Sequence, residues 1–451
     1  MNLHRMLLAR AEAGNPVRVG LVGAGKFGTM YLSQAARTPG IHVMALADLN
    51  PDRAIAACAR VGGFDTSAAD FDAARKAGTT HVTDDPMALV AADGIDVVID
   101  ATGNPAAGIA HALGAIEHGR HIIMVNVEAD VLAGPLLAAR ARQAGVVYSM
   151  AYGDQPALIA EQVDWARASG FEVVAAGKGT KFLDGYHHIT PDDVWQHYGL
   201  TPEEARAGGM NPQMFNSFLD GTKSAIEMAA VANATGLTPA PSGLSFPPCG
   251  VHDLPHVMRP QAEGGLLHHK GQVEVVSSEE RDGRHVAGDL RWGVYVAFEA
   301  PSAYVRDCFR EYGLVTDTTG RYSALWKPYH LIGLELGISV ASAALRGEPT
   351  GQADGFRGDV VATAKRDLKP GDRLDGEGGY TVYGRLMPAA DSLAAGGLSV
   401  GLASDVTLKN PVARDTPLIW ADVEAPPGMQ AMRIRREMET MFAPSREHAA
   451  R

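Results

Sequence analysis

Cysteine is almost missing from this 451-residue chain, where Cys58, Cys249 and Cys308 stand far apart. Three scattered thiols build no disulfide framework and no CxxC metal pair. They read as small buried hydrophobes in a reducing compartment, and a cytoplasmic location is expected. Positive charge is also in deficit: 40 Lys and Arg against 52 Asp and Glu leave a formal net charge of -12. That disfavours a broad surface for nucleic acid or anionic lipid, since both need clustered cations. A small local pocket for a phosphorylated metabolite stays open. No run approaches the roughly 18 apolar residues of a membrane helix. The first fourteen residues carry Glu12 and no long apolar core, so they read as a short amphipathic helix rather than a signal peptide. Long repeats and low-complexity tracts are lacking too.

What is present is a globular composition, 46% hydrophobic, long enough for about two to four domains. The first third alternates short apolar runs with Ala-rich helical stretches. The runs are Val17 to Val22, Ile41 to Ala47, Ile95 to Asp100, Ile122 to Val127 and Val146 to Met150. Helical patterns such as Met30 to Thr38 and Ala106 to His118 separate them. Continuous apolar strands are those buried on both faces of a parallel sheet. The expected fold class is α/β, with an N-terminal doubly wound Rossmann sheet over residues 1–150. An α+β domain is expected over 151–350, and a β-rich module over 356–445, beyond the glycine-rich break at Gly347 to Gly358.

In the middle segment, Phe171 to Ala176 reads as a strand leading into Gly177-Lys178-Gly179. Thr190-Pro191-Asp192-Asp193 and Thr201-Pro202-Glu203-Glu204 read as capped helix starts. A longer helix is expected from Asn211-Pro212 to near Gly236, and another helical segment over Leu331 to Leu345. Near the C-terminus, Val360 to Ala364 reads as a strand and Lys369-Pro370-Gly371-Asp372 as a turn, with a frayed tail from about Pro444.

The strongest motif is Gly23-Ala24-Gly25-Lys26-Phe27-Gly28, directly after the first strand and opening a helix. Gly23 allows the tight turn, Gly25 the close approach of a pyrophosphate, and Gly28 the packing of helix on strand. Asp48, at the end of the second strand, stands where a carboxylate accepts bonds from the adenosine ribose. An acid there leans towards NAD over NADP, and the neighbouring Arg53 softens that lean. Thr102 and Gly103 after the third strand suit a loop beside the nicotinamide ribose, or a plain strand-ending turn. Asn126 and Glu128 follow the fourth strand as further candidates, Glu128 equally a helix-start charge.

In the expected long helix, Phe215, Leu219, Ile226 and Ala230 share a face with Lys223. An ammonium on an apolar stripe needs a partner or a cavity, and Glu227 and Asp220 are candidate partners. These three and Lys178 are the catalytic candidates with Glu128: lysines in part-closed pockets serve as proton donors or oxyanion anchors. Lys178 reads equally as a surface turn lysine. Asn211 is first an N-cap and His330 an interior histidine or an active-site group; both are substrate-binding candidates. The pairs His187-His188 and His268-His269 have no acid at metal-ligand spacing, so no metal is assigned.

The blocks Val19 to Gly25, Val97 to Gly103, Val125 to Asp130, Ala175 to Gly179, Asn211 to Met214, Phe218 to Lys223, Lys327 to Leu331 and Ala364 to Gly371 carry a resemblance over most of the chain. The chain resembles the homoserine dehydrogenase-like superfamily, in a branch with a C-terminal SAF, or β-clip, domain that includes a deoxyxylulose phosphate reductoisomerase-like enzyme. The resemblance implies hydride transfer between NAD(P)H and a carbonyl, on a ketose phosphate in the reductoisomerase case. It also implies that the α+β domain over 151–350 is a substrate and dimerisation domain, hence a homo-oligomer, and, for that case, a divalent cation with no residues assigned to it. Homoserine itself fits poorly, because Glu227 falls where that family carries its lysine. Two other readings stand beside this one: an NAD-dependent dehydrogenase of a small hydroxy acid, polyol or semialdehyde, and a non-catalytic cofactor-sensing or ligand-binding protein.

Overall fold

A computed structural model describes residues 2–424 and 428–443. The frayed-tail expectation from Pro444, and the last two residues of the expected 356–445 module, lie outside them. The chain forms two compact units: residues 1–158 with 330–354, and 159–329 with 355–451. The stretch 330–354, expected in the middle domain, therefore belongs to the first unit, because Leu336 and, from the helix Gly337–Arg346 that follows it, Val340 and Ala341 join that unit's core.

The first unit is a six-stranded parallel sheet in the order β3-β2-β1-β4-β5-β6. Its strands are β1 (Val17–Val22), β2 (Ile41–Ala47), β3 (His81–Thr83), β4 (Val97–Asp100), β5 (His121–Met124) and β6 (Tyr148–Met150). This doubly wound order puts its switch point between β1 and β4, where the loops leaving both strands open a crevice. The apolar runs match β1 and β2 residue for residue, since β-branched side chains buried on both faces leave no choice of period. The fourth run is shorter than expected. It ends at Met124, and Asn126 caps the helix Val127–Gln143. The N-terminal helix is Leu3–Glu12, which buries Leu3 and Leu7 against the core that holds Tyr31 and Val340.

The second unit holds a four-stranded mixed sheet in the order β10-β9-β7-β8, from β7 (Glu172–Thr180), β8 (Gln272–Ser277), β9 (Val294–Glu299) and β10 (Tyr322–Lys327). Its C-terminal part adds the antiparallel pair β11 (Gly358–Ala364) with β13 (Val382–Pro388). A three-stranded sheet follows, from β12 (Arg373–Asp375), β14 (Ser404–Leu408) and β15 (Val423–Glu424). The turn at Pro370–Gly371 is present, with the Asp372 amide bonded to the Lys369 carbonyl at 3.0 Å.

Three local expectations are corrected here. β7 does not stop at Ala176: it runs through Gly177-Lys178-Gly179, so Lys178 sits in a buried strand, not a turn. The glycines serve close packing of backbones, since a Cβ on Gly177 would stand 1.7 Å from the Glu274 carbonyl oxygen. The helix from Pro212 is two helices, Pro212–Leu219 and Thr222–Thr235, broken at Gly221 with φ +86°. No helix starts at Pro191: Asp193 turns its carboxylate back on the Thr190 amide and hydroxyl, but residues 191–193 form a turn and the helix begins at Val194. The second start is as read, with Thr201 and Glu204 in a reciprocal capping box.

Candidate active site

The glycine loop of the first unit has the shape its sequence demands. Gly23 adopts φ +102°, and a Cβ there would meet the Ala101 carbonyl oxygen at 2.8 Å. A Cβ on Gly28 would stand 2.1 Å from the Gly23 carbonyl oxygen, so that glycine seats the helix Lys26–Ala35 on the loop. A Cβ on Gly25 would meet nothing within 4 Å. The space over Gly25 is open, and this residue gives the helix no side-chain cap. The amides of the first turn, from Lys26 and half-buried Phe27 onward, are thus available to an anion with the helix dipole behind them. These residues fit a dinucleotide's pyrophosphate.

Asp48 lies buried beside this loop. It accepts from the Ala24 amide at 2.8 Å and the Asn50 amide at 2.9 Å, and the Arg53 guanidinium grips it at 2.7 and 2.8 Å. Burial pushes its pKa up, but the Arg53 bonds and the two amides outweigh that and hold it below the usual carboxylate range. The lean towards NAD read from an acid at this position is thereby weakened, because the charge is already paired.

Across the crevice, Asn126 ties the loops after β4 and β5 together. Its oxygen accepts from the Ala129 amide at 3.0 Å, and its nitrogen donates to the Asn104 carbonyl at 2.8 Å and Thr102 Oγ1 at 3.2 Å. Buried Asp100 holds the Thr102 amide at 2.9 Å. Gly103 is exposed with open space at its Cα, whereas Asn126 is buried and fully engaged in shaping the crevice. Glu128 is half-buried in the first turn of the helix Val127–Gln143.

In the second unit, Lys178 on β7 forms a buried ion pair with Glu227 on the helix Thr222–Thr235. Asp220, at the helix break, accepts from the Thr222 amide at 2.9 Å and forms an ion pair at 2.8 Å with Lys365. The Lys365 ammonium also donates to the carbonyls of Ile189 at 2.9 Å and Gly379 at 2.8 Å. The two carboxylates expected to serve Lys223 are therefore claimed by lysines from other parts of the chain. Lys178 does not act as a bare cation. The break at Gly221 also starts Lys223 on a new helix, so the shared face with Phe215 and Leu219 does not form; Lys223 itself is half-buried in that helix's first turn. Beside the break, His187 Nδ1 donates to the Asp220 carbonyl at 2.6 Å, and the ring stacks on Tyr383 at 4.6 Å. Burial lowers its pKa. Among the described residues no three His, Cys, Asp or Glu side chains gather into a metal site, and no helix is long and apolar enough to cross a membrane.

Comparison with known proteins assigns these parts. Residues 17–151 match the GFO/IDH/MocA oxidoreductase family, NAD-binding Rossmann fold, and residues 153–336 match the catalytic domain of oxidoreductase DRL. The chain is an NAD(P)-dependent oxidoreductase. Curated relatives include the 1-deoxy-D-xylulose 5-phosphate reductoisomerases of Paraburkholderia phytofirmans, 36% identical over 144 residues, and Paraburkholderia xenovorans, 37% identical over 144 residues. Each match covers 29% of this chain and 36% of the relative, so the similarity spans about a third of those proteins. Solved structures with similar parts include a probable dehydrogenase from Thermotoga maritima, at 14% identity and TM-score 0.28 over 39% of this chain and 49% of that one. Another is the WlbA dehydrogenase from Bordetella pertussis, at 17% identity and TM-score 0.28 over 38% and 49%.

Two substrate-binding expectations find structural surroundings in this oxidoreductase. Asn211 is exposed and caps the helix Pro212–Leu219, accepting from the Gln213 amide at 3.0 Å. His330 is half-buried and lies in the first unit. Sequence reading missed Lys365, although it stands in a quoted block, because its partner is 145 positions away. It also missed Asp130, buried in the helix Val127–Gln143, which accepts from Tyr148 Oη at 2.9 Å. Burial pushes the pKa of Asp130 up to about 6, against the lowering effect of that hydroxyl.

Proposed function

We propose that this oxidoreductase reduces a small carbonyl compound of the ketose phosphate class, in the manner of a 1-deoxy-D-xylulose 5-phosphate reductoisomerase. The observation that carries the redox part is the glycine cradle, blocked to a side chain at Gly23 and Gly28 and open over Gly25. Support for the substrate class comes from the match of residues 153–336 to the DRL catalytic domain and from the reductoisomerase relatives. A dihydronicotinamide, when bound, would supply the hydride for the carbonyl carbon. Lys178 Nζ holds the proton that the carbonyl oxygen takes up, the Glu227 carboxylate orients that ammonium, and solvent returns a proton to the amine. Lys223, half-buried at the start of its helix, is the cation for the phosphate. Asp220 is a positioning residue held by Lys365. Thr102, Gly103 and Glu128 border the nicotinamide end of the crevice, and Asn126 fixes its shape. The C-terminal sheets from β11 onward are the SAF-like module, and the assembly is a homo-oligomer in the cytoplasm.

The test is turnover of 1-deoxy-D-xylulose 5-phosphate by the full chain with each reduced nucleotide and added magnesium or manganese, followed by loss of dinucleotide absorbance. Lys178→Met should abolish turnover and leave nucleotide affinity intact. No turnover under any of these conditions, with nucleotide binding intact, removes the ketose phosphate reading.

A further inference from the structure

The adjacent histidines His187 and His188 lie in the single turn Tyr186–His188, shortly after β7. Their rings are held in different ways. His188 spends both nitrogens: Nε2 donates to the Asp415 carboxylate at 2.7 Å, and Nδ1 accepts from Arg414 Nη2 at 2.7 Å. A ring that donates at one nitrogen and accepts at the other is neutral and fully committed. It anchors the turn to the C-terminal part of the same unit. His187 is committed at one nitrogen only. Nδ1 donates to the Asp220 carbonyl at 2.6 Å, which fixes the tautomer and leaves a lone pair on Nε2. Nε2 makes no hydrogen bond among the described residues.

The walls around the His187 ring are stiff. Tyr383 stacks on one side, Phe182 lies 5.0 Å away, and Phe182 itself stacks on Phe246 at 3.9 Å. A Cβ on Gly221 would stand 3.0 Å from His187 Cε1. Three non-glycine residues among those described have positive φ, and two of them border this pair: Phe246 at +47° and Asp415 at +62°. Such conformations cost about 1–3 kcal/mol each and collect at active sites, where the surroundings over-determine them. The titratable groups that face His187 are Asp220 at the helix break, His188 beside it, and Tyr383 and Asp415 from the C-terminal part. Burial outweighs the Asp220 bond and keeps the ring neutral at physiological pH. Gly221 also opens the helix that carries Lys223 and the Glu227 partner of Lys178, so one helix start joins His187 to those charges.

Resting on the ketose phosphate reading, we infer that His187 Nε2 is the general base that takes the proton of a substrate hydroxyl in the isomerisation that precedes reduction. The O–H bond breaks and the proton passes to Nε2. The electron pair left on oxygen forms the new carbonyl as the neighbouring carbon–carbon bond migrates to the original carbonyl carbon. The oxygen on that carbon takes the proton of Lys178, and the imidazolium releases its own to solvent. The Asp220 carbonyl holds the ring in the tautomer this step needs.

The experiment is steady-state turnover of 1-deoxy-D-xylulose 5-phosphate by the full chain as a function of pH, for the wild type and His187→Asn. Asparagine keeps a donor for the Asp220 carbonyl but carries no titrating nitrogen. The wild type should lose kcat as pH falls below 6.5, when the ring takes up a proton. His187→Asn should lower kcat by about a hundredfold or more, move KM less than about threefold, and abolish that acid limb. Labelling of the wild type with diethyl pyrocarbonate, read by peptide mass mapping, is the second measurement. It should acylate His187 ahead of His188, and the substrate should protect His187. Wild-type kcat with an unchanged pH profile in His187→Asn overturns the inference and leaves the ketose phosphate reading in place. Preferential labelling of His188 overturns it too, and decides the matter should His187→Asn fail to fold. No turnover by the wild type sinks both the inference and the reading beneath it.

Discussion

Gly25 and Gly28 lie three residues apart in one loop, yet alanine at each should produce opposite phenotypes. At Gly28 the new methyl would sit 2.1 Å from the Gly23 carbonyl oxygen, about 1 Å closer than carbon and oxygen tolerate. The obstacle is backbone held by its own bond from the Gly23 amide to the Ala47 carbonyl at 2.8 Å, so no flexible side chain can yield. Overpacking of this kind costs about 1–3 kcal/mol. For a unit of this size that lowers the melting temperature by roughly 2–4 °C per kcal/mol. At Gly25 the backbone is at φ -70° and ψ -160°, open to any residue, and the methyl meets nothing within 4 Å. Gly25→Ala should therefore melt within about 2 °C of the wild type, as for a neutral surface change. Its methyl projects into the space reserved for the pyrophosphate, so dinucleotide affinity should fall by about tenfold or more. Differential scanning calorimetry gives the first quantity and isothermal titration the second. Wild-type affinity in Gly25→Ala, or an unshifted melt in Gly28→Ala, would refute the geometry of the cradle.

The remaining predictions concern buried charge. Arg435 donates to Asp359 at 3.0 and 2.6 Å with both side chains buried, so Asp359→Ala leaves the buried guanidinium with Glu439, at 2.9 Å, as its remaining carboxylate and should cost about 3 kcal/mol in urea unfolding, while Arg435→Met with Asp359→Leu should recover most of it. Glu227→Ala should destabilise by a similar amount of about 3–5 kcal/mol and, unlike Asp359→Ala, should abolish turnover even at temperatures where the chain is folded. Asp130 has its pKa raised from 3.8 to about 6, so the folded state binds the proton more tightly than the unfolded chain. Its contribution favours the fold below about pH 4 and is lost as pH rises through 6, a swing of about 3 kcal/mol at most. Asp130→Asn, whose oxygen still accepts from Tyr148, should raise stability at pH 7 and flatten the stability profile between pH 4 and 6.5; an unchanged slope in chemical denaturation would count against it.

The nucleotide half of this protein was legible because its signals are local. A β-branched run, a glycine triplet and an acid at the next strand tip all lie within about one βαβ unit, and each structural consequence falls on the residue that announces it. The short β3 escaped because three residues, His81–Thr83, carry no period to read. The second unit was harder, since its decisive contacts join distant positions. Glycines beside Lys178 look like a turn from sequence, yet they let β7 pack against the Glu274 and Leu290 carbonyls and bury the lysine. Apolar spacing ran through Asp220-Gly221 as though the helix continued, and only the Lys365 ammonium, brought in by the C-terminal strands, explains why a carboxylate can be buried at the break. In the first unit, the bidentate clamp that Arg53 places on Asp48 from five residues later has no signature in the sequence beyond the presence of an arginine.

The Asp220–Lys365 contact has a consequence for how the chain can be divided. A boundary drawn after the glycine-rich stretch near residue 354 looks like a natural place to trim a tail module, yet the cut would strip a buried carboxylate of its only counter-charge named among the described residues. The carbonyls of Ile189 and Gly379 share that same ammonium, so the strands beyond 355 are as much a wall of the catalytic unit as β7 is. Evolution can decorate this terminal portion at its rim, but cannot exchange it wholesale without also rewriting the helix break it supports.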